Sequence, residues 1–137
     1  MNVIIDTNVF ISGVFFSGKP YRIIKAWQAG QFALFSSGDI LDEYERVIRE
    51  LAPKLSSKKP KFNADKTIAF IRKEVRLAKP TLLSQQVCDD PDDDMFIACA
   101  LTVRAIIVTG DKALLKTSGY KGLVVLSPAE FERQYLI

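Results

Sequence analysis

Short apolar, β-branched runs punctuate this chain, separated by segments whose apolar residues recur every three to four positions. "NVIID" at residues 2–6 has no polar alternation, which predicts a strand buried on both faces of a parallel sheet. "AIIVTGD" at 105–111 predicts a second such strand. "FALFSS" (32–37) and "GLVVLSP" (122–128) predict two more, and "TLLSQQV" (81–87) is a weaker candidate. Between them, "TNVFISGVF" (7–15) reads as a turn or helix start, and "PYRIIKAWQAG" (20–30) as a helix closed by Gly30. "SGDILDEYERVIREL" (37–51) carries Ile40, Tyr44, Val47, Ile48 and Leu51 at helical spacing and is expected to end before Pro53. Residues 54–63 predict a polar, basic loop, and 64–78 a helix with Ile68, Ile71 and Val75 on one face. Further helices are expected over 93–104, 112–120 and 128–136. Strands alternating with helices imply a three-layer α/β/α sandwich with a central, mostly parallel sheet, and 137 residues suit a single domain over 1–137.

Composition narrows the chemistry. The chain has no histidine, which excludes a Ser-His-Asp triad, a Cys-His pair and His-ligated zinc. Two cysteines, Cys88 and Cys99, are too few for a thiolate zinc site and suggest reduced thiols in a cytoplasmic protein. No secretion signal and no run of membrane-spanning length is expected. Catalysis would have to use carboxylates, Lys, Tyr, Ser or Thr, or a metal held by oxygen.

The carboxylates fall at informative places. Asp6 directly follows one apolar run and Asp111 another, so both are expected at the carboxyl ends of central strands, where open parallel sheets bind ligands. For each, a turn or N-cap role is the plain alternative. The stretch "CDDPDDDMFIACA" concentrates Asp89, Asp90, Asp92, Asp93 and Asp94 in a chain of net charge +3. On the helix that follows, Phe96, Ile97, Ala100, Leu101 and Val103 form an apolar face, with Asp93 near its middle and Asp92 and Asp94 at its flanks. Capping by Asp90, with Pro91 as first helical residue, accounts for two or three of these acids. Five adjacent acids repel one another, and a bound divalent cation would relieve that repulsion. On the earlier helix, Glu43 and Glu45 both lie at the edges of the apolar stripe, and periodicity does not choose between them.

Taken in order, "IIDTNVFISGVF", "SGDILDEYERVI", "DDPDDDMFIACAL" and "IIVTGDKALL" resemble the PIN-domain family, most closely the VapC-like toxins of toxin–antitoxin pairs. The resemblance covers nearly the whole chain. It implies a metal-dependent ribonuclease with one or two Mg2+ or Mn2+ ions, yielding a 5′ phosphate and a 3′ hydroxyl. It also implies Asp6, Glu43, Asp93 and Asp111 as catalytic metal ligands, with Asp90 and Asp94 as further candidates and Asn8 and Thr109 in support. The chain departs from the family pattern at Ala98, where relatives carry a further acid, which implies a weaker second metal site. An antitoxin partner and a homodimer are implied too; Phe15, Phe16, Tyr21 and Trp27 on the early helices are candidate antitoxin contacts, with core or dimer interface the preferred reading for Trp27.

Acids alone would repel RNA. Lys58, Lys59, Lys61, Arg72, Lys73 and Arg76 belong to a basic stretch over 54–79, a candidate RNA footprint or simply a solvated face. Two readings stand: a Mg2+- or Mn2+-dependent endoribonuclease, or a non-catalytic PIN-like module that binds RNA or a protein. A phosphatase with a "DxD" nucleophile is disfavoured, because Thr7 and Asn8 follow Asp6.

Overall fold

The computed structural model describes residues 1–137. Its sheet has five strands, β1 (Asn2–Ile5), β2 (Ala33–Ser36), β3 (Arg76–Leu77), β4 (Ile106–Val108) and β5 (Val124–Leu126), in the order β3-β2-β1-β4-β5. Every pairing is parallel. Parallel neighbours need crossovers, and helices supply them. These are α1 (Thr7–Phe15), α2 (Lys19–Gln28), α3 (Gly38–Lys58), α4 (Ala64–Glu74), α5 (Asp94–Val103), α6 (Lys112–Leu115) and α7 (Pro128–Tyr135). The result is the expected three-layer sandwich. β1 lies at its centre, and Val3, Ile4 and Ile5 are fully buried, as a strand without polar alternation requires. Ile5 pairs with Val108, so the residues that follow β1 and β4 emerge side by side at the carboxyl edge.

Where helices meet, local residues explain the approach. A Cβ at Gly13 would collide with the Ile24 side chain and the Pro20 carbonyl, so α1 and α2 pack this closely only because Gly13 has none.

Four elements differ from the sequence expectation: the helix expected over 112–120 covers only Lys112–Leu115 before the chain turns, and three others have a physical reason. Helix α3 runs through Pro53 to Lys58 rather than stopping before it. The exposed Pro53 leaves the Arg49 carbonyl without its helical donor on a solvated face. Burial of Leu55 and a bond from Lys59 Nζ to the Phe15 carbonyl, 2.7 Å, hold the continuation. Second, the helix expected over 64–78 ends at Glu74. Val75 turns extended, and Arg76–Leu77 pair with Phe35–Ser36 as an edge strand. Third, residues 81–87 form a strap over α5 instead of a strand. Thr81 N–H donates to Thr102 Oγ1 at 3.1 Å, and the Val87 and Cys88 N–H groups donate to the Asp94 carboxylate at 3.1 and 2.7 Å. β3 already occupies the sheet edge, and Leu82 is 92% exposed, unlike a buried strand residue.

Candidate active site

The carboxyl edge of the sheet gathers four acids from four segments. Asp6 stands at the end of β1, and its N–H completes the ladder to the Val108 carbonyl at 2.9 Å. It occupies the N-cap position of α1, yet its side chain does not cap the helix. The carboxylate instead accepts a bond from Thr109 Oγ1 at 2.5 Å. That buried hydroxyl also accepts from the Asp111 N–H at 3.0 Å. One threonine at the end of β4 therefore positions both strand-end acids. The Asp111 carboxylate accepts from Ala113 N–H at 3.3 Å, which starts α6.

Glu43 reaches the same edge from α3. Ser37 caps this helix by accepting from Ile40 N–H at 3.2 Å. Further along, the Tyr44 hydroxyl donates to the Ile5 carbonyl, and its ring stacks on Phe10 with centroids 4.2 Å apart. These contacts fasten α3 to the last residue of β1. The Glu43 carboxylate accepts the Thr7 hydroxyl. Glu45 points elsewhere, to Arg72 at 3.1 Å and Arg49 at 3.4 Å. The geometry thus separates two glutamates that helical periodicity left equivalent.

The aspartate cluster divides in a similar way. Pro91–Asp93 form a short 3-10 turn before α5, and Asp90 caps it by accepting from Asp92 N–H at 3.0 Å. Asp94 is turned back to hold the Val87 and Cys88 N–H groups. Asp89 and Asp92 are exposed. Asp93, half-buried, lies within hydrogen-bonding reach of Asp111. Capping and strap-fastening thus account for Asp90 and Asp94, and Asp93 is the member that faces the other site acids.

Electrostatics sets these groups apart. Burial pushes the Asp93 carboxyl up to about 7, reinforced by the bond with Asp111 and by the charges of Asp6, Asp90 and Asp111. Burial also raises Asp6, with Asp111 and Glu43 adding to it, while the bonds from Thr109 and Thr7 pull the other way. Tyr44 is held well above the ordinary tyrosine range, chiefly by burial, so it stays a neutral donor. No ion pair in the structure reaches Asp6, Asp93 or Asp111, and Glu43 has only Arg46, at 3.8 Å.

Hard oxygen donors of this kind suit Mg2+ or Mn2+. The side chains do not close on a single point: no group of three His, Cys, Asp or Glu residues stands close enough to chelate one ion.

The supporting residues and the basic stretch are placed unevenly. Thr109 sits at the centre of the site. Asn8 is exposed, and its neighbour Thr7 supplies the hydroxyl that steadies Glu43. Thr7 and Tyr44 were missed from sequence. The signal for Thr7 was its place in "DTNVF", but nothing in the apolar stripe of α3 announced what the Tyr44 hydroxyl does. Of the basic residues, Arg72 is tied to Asp42 and Glu45, and Lys59 to the Phe15 carbonyl. Arg76 lies over the Phe35 ring at 6.0 Å. Lys58, Lys61 and Lys73 are exposed. Both cysteines are buried and free, and burial lifts the Cys99 thiol to about 11. No helix is long and apolar enough to cross a membrane.

Comparison with known proteins points one way. The family model described as "PIN domain" matches residues 2–113. The uncharacterized protein MJ1680 of Methanocaldococcus jannaschii is 34% identical over 116 residues, covering 84% of this chain and 74% of that protein. Among solved structures, the crystal structure of VapBC2 from Rickettsia felis bound to a DNA fragment from their promoter matches with a TM-score of 0.59. The match covers 93% of this chain and 98% of that one at 13% identity, a likeness of fold.

Proposed function

The chain belongs to the PIN domain family, and from that membership we propose that it is a Mg2+- or Mn2+-dependent endoribonuclease and the toxin of a toxin–antitoxin pair. The observation that carries this reading is a set of buried and half-buried, mutually repelling carboxylates with almost no protein cation beside it. Asp6, Glu43, Asp93 and Asp111 would hold one or two ions. A bound ion of this type supplies an activated water and neutralises the charge developing on a phosphodiester.

The chain's own part is positioning. Thr109 fixes Asp6 and Asp111 at one spacing, and Thr7 and Tyr44 fix Glu43 against β1. Asp93, whose carboxyl its acidic neighbours hold high, would ionise with a cation bound among these acids. Cleavage on this scheme leaves a 5′ phosphate and a 3′ hydroxyl. The fold likeness to VapBC2 supports an antitoxin as protein partner, and the family resemblance supports a homodimer.

The wide spacing of the acids favours a second reading, a non-catalytic PIN-like module that binds RNA or a protein. A panel of labelled RNAs incubated with Mn2+, Mg2+ or EDTA separates the two. Metal-dependent cleavage that disappears in Asp6→Asn supports the nuclease. RNA binding without cleavage by folded wild type supports the module.

A further inference from the structure

Three grooves join end to end along α5. The first, about 490 Å³, lies between the start of α3, the strap and α5, where Asp94 and Met95 border the acidic edge. It shares Leu82, Leu83 and Ala98 with the second, about 410 Å³. The second shares Leu101 and Lys121 with the third, about 370 Å³, which Arg104 also lines. Together they form one trough along α5, walled by the strap in the first two stretches and by residues 121–124 in the third. It starts near the carboxyl edge, where Asp39 and Asp94, the neighbour of Asp93, line it, and ends at two cations. No Asp or Glu lines its second or third stretch.

The far end has a second peculiarity. Arg104 (φ 55°) and Lys121 (φ 48°) are the two non-glycine residues of the chain in left-handed backbone. Glycine is the usual residue in that conformation, and a side chain there is strained. Both positions carry cations, and both line the same groove. Arg104 takes this conformation as the C-cap that ends α5, and Lys121 in the 3-10 turn over Tyr120–Gly122, so the two turns set both cations on this groove. The wall of the trough is fixed in advance, because Thr102 and Asp94 pin the strap near its two ends. Beyond the first stretch, which Asp39 and Asp94 line, its floor is neutral: Ala98 and Leu101 lie there, with Thr81 and Ser84 along the strap. A neutral floor ending in unopposed cations fits a single nucleic-acid strand, whose bases tolerate apolar surface and whose phosphates seek positive charge.

We propose that single-stranded RNA enters the acidic edge along this trough, with its backbone phosphates held by Arg104 and Lys121 at the distal end. The proposal rests on the nuclease reading above. It locates the substrate track on α5 and the strap, rather than on the basic stretch over 54–79.

The test is fluorescence anisotropy with short single-stranded RNA of random sequence, on an Asp6→Asn background that blocks cleavage. Arg104→Gly with Lys121→Gly removes both cations and relieves the left-handed strain, so the melting temperature should hold or rise. Two lost phosphate contacts on a single strand should lower the slope of log K against log salt by about 1.4 and weaken binding roughly tenfold near physiological salt. Lys58→Ala with Lys61→Ala is the charge-matched control and should leave binding unchanged. Equal losses in both pairs, or parent-like binding in the glycine pair, would overturn the track. Cleavage of the same RNA by wild type with Mn2+ is read separately. If wild type cleaves while the glycine pair binds like its parent, the track fails and the nuclease stands. If wild type neither binds nor cleaves, both fall.

Discussion

Two groups of acids in this molecule receive opposite treatment. On the outer face of α3 and α4, Asp42, Glu45, Glu50 and Asp65 are matched to Arg46, Arg49 and Arg72 at 2.8–3.4 Å. At the carboxyl edge of the sheet, Asp6, Asp93 and Asp111 face one another, steadied by hydroxyl and backbone donors. The residue types are the same, and the difference is what answers their charge. Exposed pairs of the first kind contribute little each, and water would solvate those acids in any case. Half-buried carboxylates of the second kind destabilise the fold unless something positive or a proton accompanies them. The outer face solves its charge within the chain, whereas the sheet edge leaves it open to a ligand.

Breaking the edge should have the largest consequence. Asp6→Asn should lower RNA cleavage by at least about a hundredfold, because loss of a mere outer-shell partner already costs roughly 10–100-fold in metal sites. The same variant in EDTA should melt no lower than wild type, since it removes one of the repelling charges. Kinetics and melting curves on one preparation check both halves.

Thr109 sharpens the comparison, because it is the hydroxyl that stands where an arginine stands on the outer face. Thr109→Val keeps the shape of a fully buried side chain but leaves Asp6 without its side-chain donor and the Asp111 N–H without its acceptor. Activity should fall roughly 10–100-fold and the Mn2+ requirement should rise, while Thr109→Ser should restore both. A valine variant with unchanged Mn2+ dependence would show that the hydroxyl does not position the acids.

The pH response follows from Asp93. Its folded value of about 7 lies above the ordinary 3.8, so the native state keeps a proton that the unfolded chain has lost between those limits. Stability therefore declines as pH rises through that window and levels off above it. Melting temperatures in EDTA should fall between about pH 4 and pH 7, and Asp93→Asn should flatten the decline. The smallest effect belongs to the outer face. Arg72→Ala, which breaks the links to Asp42 and Glu45, should change stability by no more than about 1 kcal/mol and leave cleavage as it was.

Much of the edge was legible from the chain itself. The unbroken apolar runs before Asp6 and Asp111 specify buried parallel strands, and the residue after such a strand has one place to be. The aspartate cluster was legible as a group but not member by member. Asp90, Asp93 and Asp94 are separated by a 3-10 turn and by the strap's need for an acceptor, and neither shows in a helical wheel. Glu43 and Glu45 could not be told apart because their partners, Thr7 and Arg72, lie 36 and 27 residues away. Pro53 and the 75–78 segment misled for a shared reason. Local propensity favours a break at the proline and a longer α4, and tertiary contacts of Leu55 and of the edge strand reverse both.

The central claim is that the sheet edge is short of positive charge and that a divalent ion supplies it. Isothermal titration of Mn2+ into the protein at pH 7, in two buffers of different ionisation enthalpy, tests this most directly. The account predicts saturable binding with proton release, as Asp93 yields its proton, and loss of that binding in Asp6→Asn but not in Arg72→Ala. Undetectable Mn2+ binding, or equal binding by wild type and Asp6→Asn, would contradict it.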